Sequence, residues 1–266
     1  MPVRKRFGQH FLHDPGIIRR IIDTIAPADG DALVEIGPGR GALTFELLKR
    51  AGTLEVVEID RDLAHELACH AHATPGLKIH VQDALKTDYV ALRGSGPALR
   101  VVGNLPYNIS TPLLFELLKQ RIAIADMHFM LQKEVVARMT AAPGGKEYGR
   151  LTVMLAAFSE AQFLFDVGPG AFQPPPKVWS AIVRLKPSAH ARFDIGSEAA
   201  LRAVVSAAFS QRRKTLRNCL KGLLDASDIE ACGIDPSLRP EVLSPAQFGL
   251  LASRHFRLYS NRDAAL

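Results

Sequence analysis

Residues 32–51 constrain the fold more than any other stretch. Ala32 to Ile36 is a short apolar run that ends in Gly37-Pro38-Gly39-Arg40-Gly41, and a helical pattern, Ala42 to Ala51, follows at once. A run of this length, bounded by glycines and leading into a helix, reads as a buried strand of a parallel sheet. Glycines in alternate positions let the backbone turn sharply and approach a ligand with no Cβ in the way. The spacing is Gly-x-Gly-x-Gly, not the Gly-x-Gly-x-x-Gly of dinucleotide folds, so the loop alone is weak evidence for a ligand.

The units that follow strengthen it. Leu54 to Ile59 is a second strand carrying Glu58 and followed by Asp60. These lie about twenty residues beyond the loop, where Rossmann-like sheets place the carboxylate that binds ribose hydroxyls. A third strand, Lys78 to Val81, runs into Gln82-Asp83-Ala84, where Asp83 could accept from an adenine amino group. The fourth, Leu99 to Val102, delivers Asn104. Each polar residue alone reads equally well as a turn residue or helix cap. Glu35 with the glycine loop, Glu58, Asp83 and Asn104 at one sheet edge are a coincidence that chance rarely produces. That edge is where open α/β sheets bind ligands, and the ligand implied carries a ribose.

The stretch from Val101 to Asn108 bears on chemistry. Asn104 offers a carbonyl acceptor, Pro106 fixes φ, and Tyr107 offers a flat apolar face. An exocyclic adenine amine is a poor nucleophile because its lone pair is delocalised into the ring. Acceptors at its two hydrogens, from the Asn104 side chain and the Leu105 carbonyl, would favour a tetrahedral nitrogen aimed at an electrophile. Stacking on Tyr107 would hold the ring at ~1–3 kcal/mol. Taken alone, the same residues read equally well as a strand-to-loop turn.

With 266 residues, 47% of them apolar and 23% charged, the chain can form one large domain and a smaller one. Neither a membrane-length apolar run nor a secretory signal is present, and a cytoplasmic protein is expected. Cys69, Cys219 and Cys232 are widely spaced and expected to be reduced thiols. His65 and Cys69 could share a helix face near His70 and His72, but a closing metal ligand is missing, and a solvated helix edge is the better reading. The net charge of +6 is concentrated in Arg4-Lys5-Arg6 and in Arg212, Arg213, Lys214, Arg217 and Lys221, which makes a polyanionic partner plausible.

At this point the residues resemble a known family. Phe7-Gly-Gln-His10-Phe-Leu12, the Glu35-Ile-Gly-Pro-Gly-Arg-Gly41 loop, Glu58-Ile-Asp60, Gln82-Asp83-Ala84 and Asn104-Leu-Pro-Tyr107-Asn-Ile-Ser110 are similar, in order and spacing, to the S-adenosylmethionine-dependent rRNA adenine N6-dimethyltransferases. The segment Met127 to Glu134, Phe172-Gln-Pro-Pro-Pro-Lys-Val178 and Gln211-Arg-Arg-Lys-Thr215 extend the resemblance over nearly the whole chain. The last two blocks favour the small-subunit branch, which dimethylates two adjacent adenines near the 3′ end of small-subunit rRNA. The resemblance implies that His10, Leu12, Gly37, Glu58, Asp83 and Asn104 contact S-adenosylmethionine and that Asn104, Leu105 and Tyr107 present the amine. Phe172 resembles the second aromatic against the target base, although the residues themselves favour a core phenylalanine. Two departures stand out: many members carry Asn where His10 stands, and Asp where Trp179 stands.

Strands at Ile124 to Leu131, Ala161 to Val167 and Ala181 to Leu185 would complete a sheet of seven. Helices Lys133 to Met139 and Tyr148 to Ser159 fall between them. Beyond His190 the pattern is helical: Glu198 to Phe209, Lys214 to Leu224, Ser227 to Cys232 and Pro245 to His255. The expected protein is therefore α/β, a Rossmann-like S-adenosylmethionine-dependent methyltransferase sheet with a small all-α C-terminal domain. Residues 1–189 form the catalytic part and 190–266 a helical RNA-docking part. Arg213 and Arg217 are expected at i, i+4 on one helix face, flanked by Arg212 and Lys214, as contacts to rRNA. Methyl transfer from a sulfonium calls for no metal and no strong general base. The expected partner is small-subunit rRNA within an immature small ribosomal subunit, with no membrane, and the protein is expected to be a monomer. The alternatives are a methyltransferase acting on protein glutamine or DNA adenine, and a non-catalytic ribosome-assembly or transcription factor. The Leu after Asn104 and the basic C-terminal segment argue against the first, and the intact Glu58, Asp83 and Asn104 set argues against the second.

Overall fold

The computed structural model describes residues 10–71, 75–106, 109–211 and 213–263. In chain order the elements are β1 (Phe11–Leu12), α1 (Pro15–Ile25), β2 (Leu33–Ile36), α2 (Thr44–Ala51), β3 (Leu54–Glu58), α3 (Arg61–Ala71), β4 (Leu77–Val81), α4 (Tyr89–Arg93), β5 (Leu99–Asn104), α5 (Ser110–Lys119), β6 (Ile124–Gln132), α6 (Lys133–Met139), α7 (Arg150–Ala156), β7 (Ser159–Val167), β8 (Phe172–Gln173), β9 (Ser180–Pro187), α8 (Glu198–Ala208), α9 (Leu216–Cys219), α10 (Ala226–Glu230) and α11 (Pro245–Asp263).

A seven-stranded sheet runs in the order β4-β3-β2-β5-β6-β9-β7, and β1 pairs with β8 in a separate two-stranded sheet. Strands β2 to β6 pair in parallel, whereas β9 runs antiparallel to β6. The chain builds outward from β2 through β3 to β4, then returns to place β5 on the other side of β2. That reversal opens a crevice at the carboxyl ends of β2 and β5, the topological switch point at which α/β sheets take ligands. At the opposite end of β5, Arg100 donates to the Ile25 carbonyl at the end of α1 (2.6 Å) and pairs with Asp31 and Asp126 (2.7 and 3.0 Å). Charge there is spent on holding the fold.

Helix α1 begins as its sequence dictates. Asp14 is the N-cap, its carboxylate accepting from the Ile17 amide at 2.9 Å, and Pro15 starts the first turn. The apolar stripe Ile21, Ile22 and Ile25 is buried in the core with Leu33, Leu47, Val102 and Ile182.

The chain divides into two compact units, residues 1–136 with 162–187 and residues 137–161 with 188–266. The boundary expected from the sequence, at 189/190, leaves out the excursion 137–161. Helix α7 lies in that excursion and packs on α8 and α11, burying Val153, Met154 and Leu155. In the same unit Tyr148 donates to the Leu243 carbonyl at 2.7 Å, and Phe209 lies 6.2 Å from the Tyr148 ring and 5.4 Å from Phe248. An amphipathic helix goes where its apolar face finds a partner, whatever its place in the chain.

Among the described residues no helix is long and apolar enough to cross a membrane, and no group of His, Cys, Asp and Glu is disposed to hold a metal ion. His65 Nε2 lies 3.7 Å from the Cys69 sulfur on α3, the shared face that their spacing implies. His72 lies outside the described residues.

Candidate active site

The carboxyl edge of the sheet gathers the residues that the sequence scatters. His10, Leu12, Gly37, Glu58, Asp83 and Asn104 line one cavity of about 310 Å³, joined by Leu105 and by Glu35. The glycine loop after β2 forms one wall, and the ends of β3, β4 and β5 supply Glu58, Asp83 and Asn104. Strand β1 crosses as another wall: Leu12 pairs with Phe172 and Phe11 with Gln173. The Phe11 ring would stand 3.3 Å from a Cβ on Gly39, and the Arg40 guanidinium lies over the same ring, 4.5 Å from its centroid.

Two features hold Asn104. It is the last residue of β5, two positions further along than the sequence pattern ends that strand, so its backbone is fixed by pairing opposite Met130. Just before it, a Cβ on Gly103 would lie 2.5 Å from the Ile36 carbonyl oxygen, so only glycine lets β5 approach the end of β2 this closely. The Asn104 Nδ2 donates to the His10 carbonyl at 3.2 Å. A carbonyl only accepts, so the amide nitrogen must face it and Oδ1 remains as the acceptor. His10 is itself anchored, its Nδ1 donating to the Pro174 carbonyl at 2.8 Å. Leu105 is buried, and its amide donates to the Met130 carbonyl at 3.2 Å.

Three acids give the cavity its chemistry. Glu58, 6% exposed, accepts from the Asp60 amide through Oε1 (2.8 Å) and from the Gly39 amide through Oε2 (3.4 Å). Burial raises its pKa despite those bonds. Asp83 accepts from the Leu85 amide through Oδ1 at 2.9 Å. Glu35 is 2% exposed and takes the Thr44 hydroxyl at 2.6 Å. Burial, reinforced by the Glu58 charge and opposed by the Thr44 bond, pushes its pKa up to about 7.

Glu35 therefore couples folding to pH. The unfolded chain releases this proton near 4.5 and the folded chain near 7, so the contribution of the group is fully present below 4.5 and is lost as pH rises to about 7. The unfolding free energy is expected to fall by on the order of 3 kcal/mol across that window, and Glu58, shifted the same way, adds in the same sense. Denaturant titrations from pH 4.5 to 7.5 should show this slope in the unaltered protein and a shallower one in Glu35→Gln. Parallel curves would rule out Glu35 as the source.

Not every expected residue joins the site. Phe172 is 2% exposed and packs in the hydrophobic core cluster with Leu12, and it is not among the residues that line the cavity. Tyr107 and Arg212 lie outside the described residues, as do residues 1–9 of the N-terminal motif. Arg213, Lys214 and Arg217 are exposed, but the helix expected over Lys214 to Leu224 is only α9, beginning at Leu216. Arg213 and Arg217 consequently do not share a helix face. The amides of Leu216 and Arg217 donate to the carbonyls of Leu238 and Pro236 (2.8 and 3.1 Å), so a neighbouring loop takes the bonds that a preceding turn would have made. The sequence reading gave no role to Gly103 or Phe11. The glycine at a strand end was visible, but the strand it must approach was not.

A largely parallel sheet with an acid-lined cavity at its switch point, next to an Asn-Leu-Pro corner, defines a Rossmann-like transferase of the methyltransferase class. The chain belongs to the ribosomal RNA adenine dimethylase family, which it matches over residues 2–254. It is 54% identical to the ribosomal RNA small subunit methyltransferase A of Pseudomonas aeruginosa, with 97% of each chain covered. Identity to the protein of the same name from Nitrosococcus oceani is 56%, with 91% of each covered. Among solved structures it is similar to a dimethyladenosine transferase from Plasmodium falciparum, at TM-score 0.78 and 26% identity, covering 96% of this chain and 98% of that one. It is also similar to the 23S rRNA methyltransferase ErmE, at TM-score 0.73 and 27% identity, covering 92% and 98%. Family and fold together support S-adenosylmethionine as the methyl donor. The cavity fits it: carboxyl groups suit a ligand that carries positive charge and ribose hydroxyls.

Proposed function

We propose that the protein dimethylates N6 of two adjacent adenines near the 3′ end of small-subunit rRNA, acting on an immature small ribosomal subunit as a monomer. The observation that carries this reading is the orientation of Asn104, whose amide nitrogen is committed to His10 while Oδ1 is left to accept from an amine at the cavity. Relatives at 54–56% identity support the choice of small-subunit rRNA.

S-adenosylmethionine, when bound, supplies a methyl group already activated on a sulfonium. In this reading His10, Leu12, Gly37, Glu58 and Asp83 hold the donor, with Glu58 accepting from the ribose hydroxyls and Asp83 from the adenine amino group. Asn104 Oδ1 and the Leu105 carbonyl accept from the two N6 hydrogens of the target, which directs the nitrogen lone pair at the methyl carbon. The amine attacks neutral and loses its proton afterwards, so a second methyl can follow at the same nitrogen. Mass spectrometry of small-subunit rRNA from cells with and without the protein tests the reading. Two adjacent dimethyladenosines should vanish without it, and their persistence would refute it.

The exposed cations Arg213, Lys214 and Arg217, with Arg212, are proposed to contact rRNA phosphates and so position the substrate. Their support is exposure and charge in one short segment, with no shared helix face required. Replacing Arg213 and Arg217 by Gln should weaken subunit binding and lower the slope of log affinity against log salt by ~0.7–0.9 per lost contact. Affinity for S-adenosylmethionine should not change. An unchanged salt slope with a lowered melting temperature would assign these residues to holding the fold.

A further inference from the structure

One large aromatic at the catalytic edge has no part in the site described above. Trp179, the only tryptophan in the chain, is 54% exposed. An exposed indole forgoes burial that an aromatic of this size would otherwise contribute to stability. Yet its position is fixed. Its carbonyl accepts from the Lys133 amide at 2.9 Å, and the next residue, Ser180, is buried and pairs with Gln132. The ring lies against Gly168, where an added Cβ would stand 3.6 Å from it, and Lys133 Nζ is 5.8 Å from its centroid.

The sheet register locates this ring relative to Asn104. Asn104 pairs with Met130 and Met130 with Ile182, so Ile182 is two strands away from Asn104. Trp179 is three residues beyond Ile182, toward the carboxyl end of β6. At ~4.8 Å between strands and ~3.3 Å per residue, it lies roughly 14 Å from Asn104 on the same edge. The chain from β8 to Trp179 joins the two places. It starts at Phe172 and Gln173, paired with the cavity-lining strand β1, passes Pro174, which holds His10, and then exposes Lys177, Val178 and Trp179. Lys133, paired with Asp166 at 2.6 Å, lies beside the ring, and Lys177 is exposed two residues before it in the chain.

We propose that Trp179 is a stacking platform for an unpaired nucleobase of the substrate RNA, one that flanks the target adenine on the same strand. This rests on the rRNA adenine reading above. The spacing fits a base roughly two to four nucleotides from the target, given ~3.4 Å per stacked nucleotide and more when the strand is splayed. Indole faces take any base, and the neighbouring lysines suit the phosphates between them. Stacking there fixes the approach of the strand to Asn104 without reading its sequence.

Because Trp179 is the only tryptophan, its fluorescence reports the contact in the unaltered protein. Titration with a single-stranded oligoribonucleotide spanning the target adenines should quench it. Trp179→Ala should raise KM for the rRNA substrate roughly ten- to hundredfold, with kcat at saturation and S-adenosylmethionine affinity unchanged, and Trp179→Phe should recover most of the loss. Bound RNA that leaves the fluorescence unaltered, or a Trp179→Phe variant as impaired in KM as Trp179→Ala, would overturn the platform. Failure of the unaltered protein to methylate small-subunit rRNA would instead overturn the reading beneath it, and the quenching experiment separates the two because it needs no turnover.

Discussion

Asn104→Ala is expected to lower kcat for adenine methylation roughly 10²–10³-fold, the cost of removing one preorganised polar group from a reacting centre. The argument starts from the poor nucleophilicity of the amine and ends on one hydrogen bond. The His10 carbonyl at 3.2 Å fixes which end of the amide faces it, leaving Oδ1 as an acceptor with nothing to reorganise. Alanine removes that acceptor and the tie to His10 together. The tie is a single neutral hydrogen bond, worth about 0.5–1.5 kcal/mol, so donor affinity should drop by little more than tenfold while turnover drops much further. The melting temperature and RNA affinity should change little, since β5 keeps its backbone pairing. Near-normal turnover, or a loss matched by an equal loss of donor affinity, would reduce Asn104 to a residue that merely straps β1 in place.

The parts of this fold that were legible in the sequence are those in which local chemistry and tertiary structure agree. Buried parallel strands must be apolar and short, so Ala32 to Ile36, Leu54 to Ile59 and Leu99 to Val102 stood out, although the third runs on to Asn104. The Asp14-Pro15 start of α1 follows a purely local rule, because an N-cap acts within one turn. Glu58, Asp83 and Asn104 were recoverable because each lies at or just past the end of its own strand at the same edge, whereas His10 and Leu12 came only from the family resemblance. Legibility failed where a distant segment decided the outcome. Leu216, Leu220 and Leu224 have helical spacing, but the 236–238 loop captures the first amides and α9 stops at Cys219. Helix α7 left the sheet's own unit for α8 and α11. Phe172 carried two readings, and its burial beside Leu12 depends on β1 pairing with β8, which no local pattern announces.

Glu58→Ala is expected to weaken S-adenosylmethionine binding at least tenfold in calorimetry. Hydrogen bonds from ribose hydroxyls to an ionised carboxylate are worth ~1.5–3 kcal/mol each, and 1.4 kcal/mol is already a factor of ten. The same carboxylate accepts from the Gly39 and Asp60 amides, so it shapes the glycine loop as well as facing the ligand. Burial works against its charge and raises its pKa; a cationic ligand arriving nearby favours the ionised form. Two contributions can therefore be separated by two ligands. S-adenosylhomocysteine keeps the ribose but lacks the sulfonium charge. If Glu58 acts through the hydroxyls, the alanine variant loses affinity for both ligands by similar factors; if it acts mainly through charge, the loss is confined to S-adenosylmethionine. Unchanged affinity for both would leave Glu58 as a strand-end acid that only braces the loop.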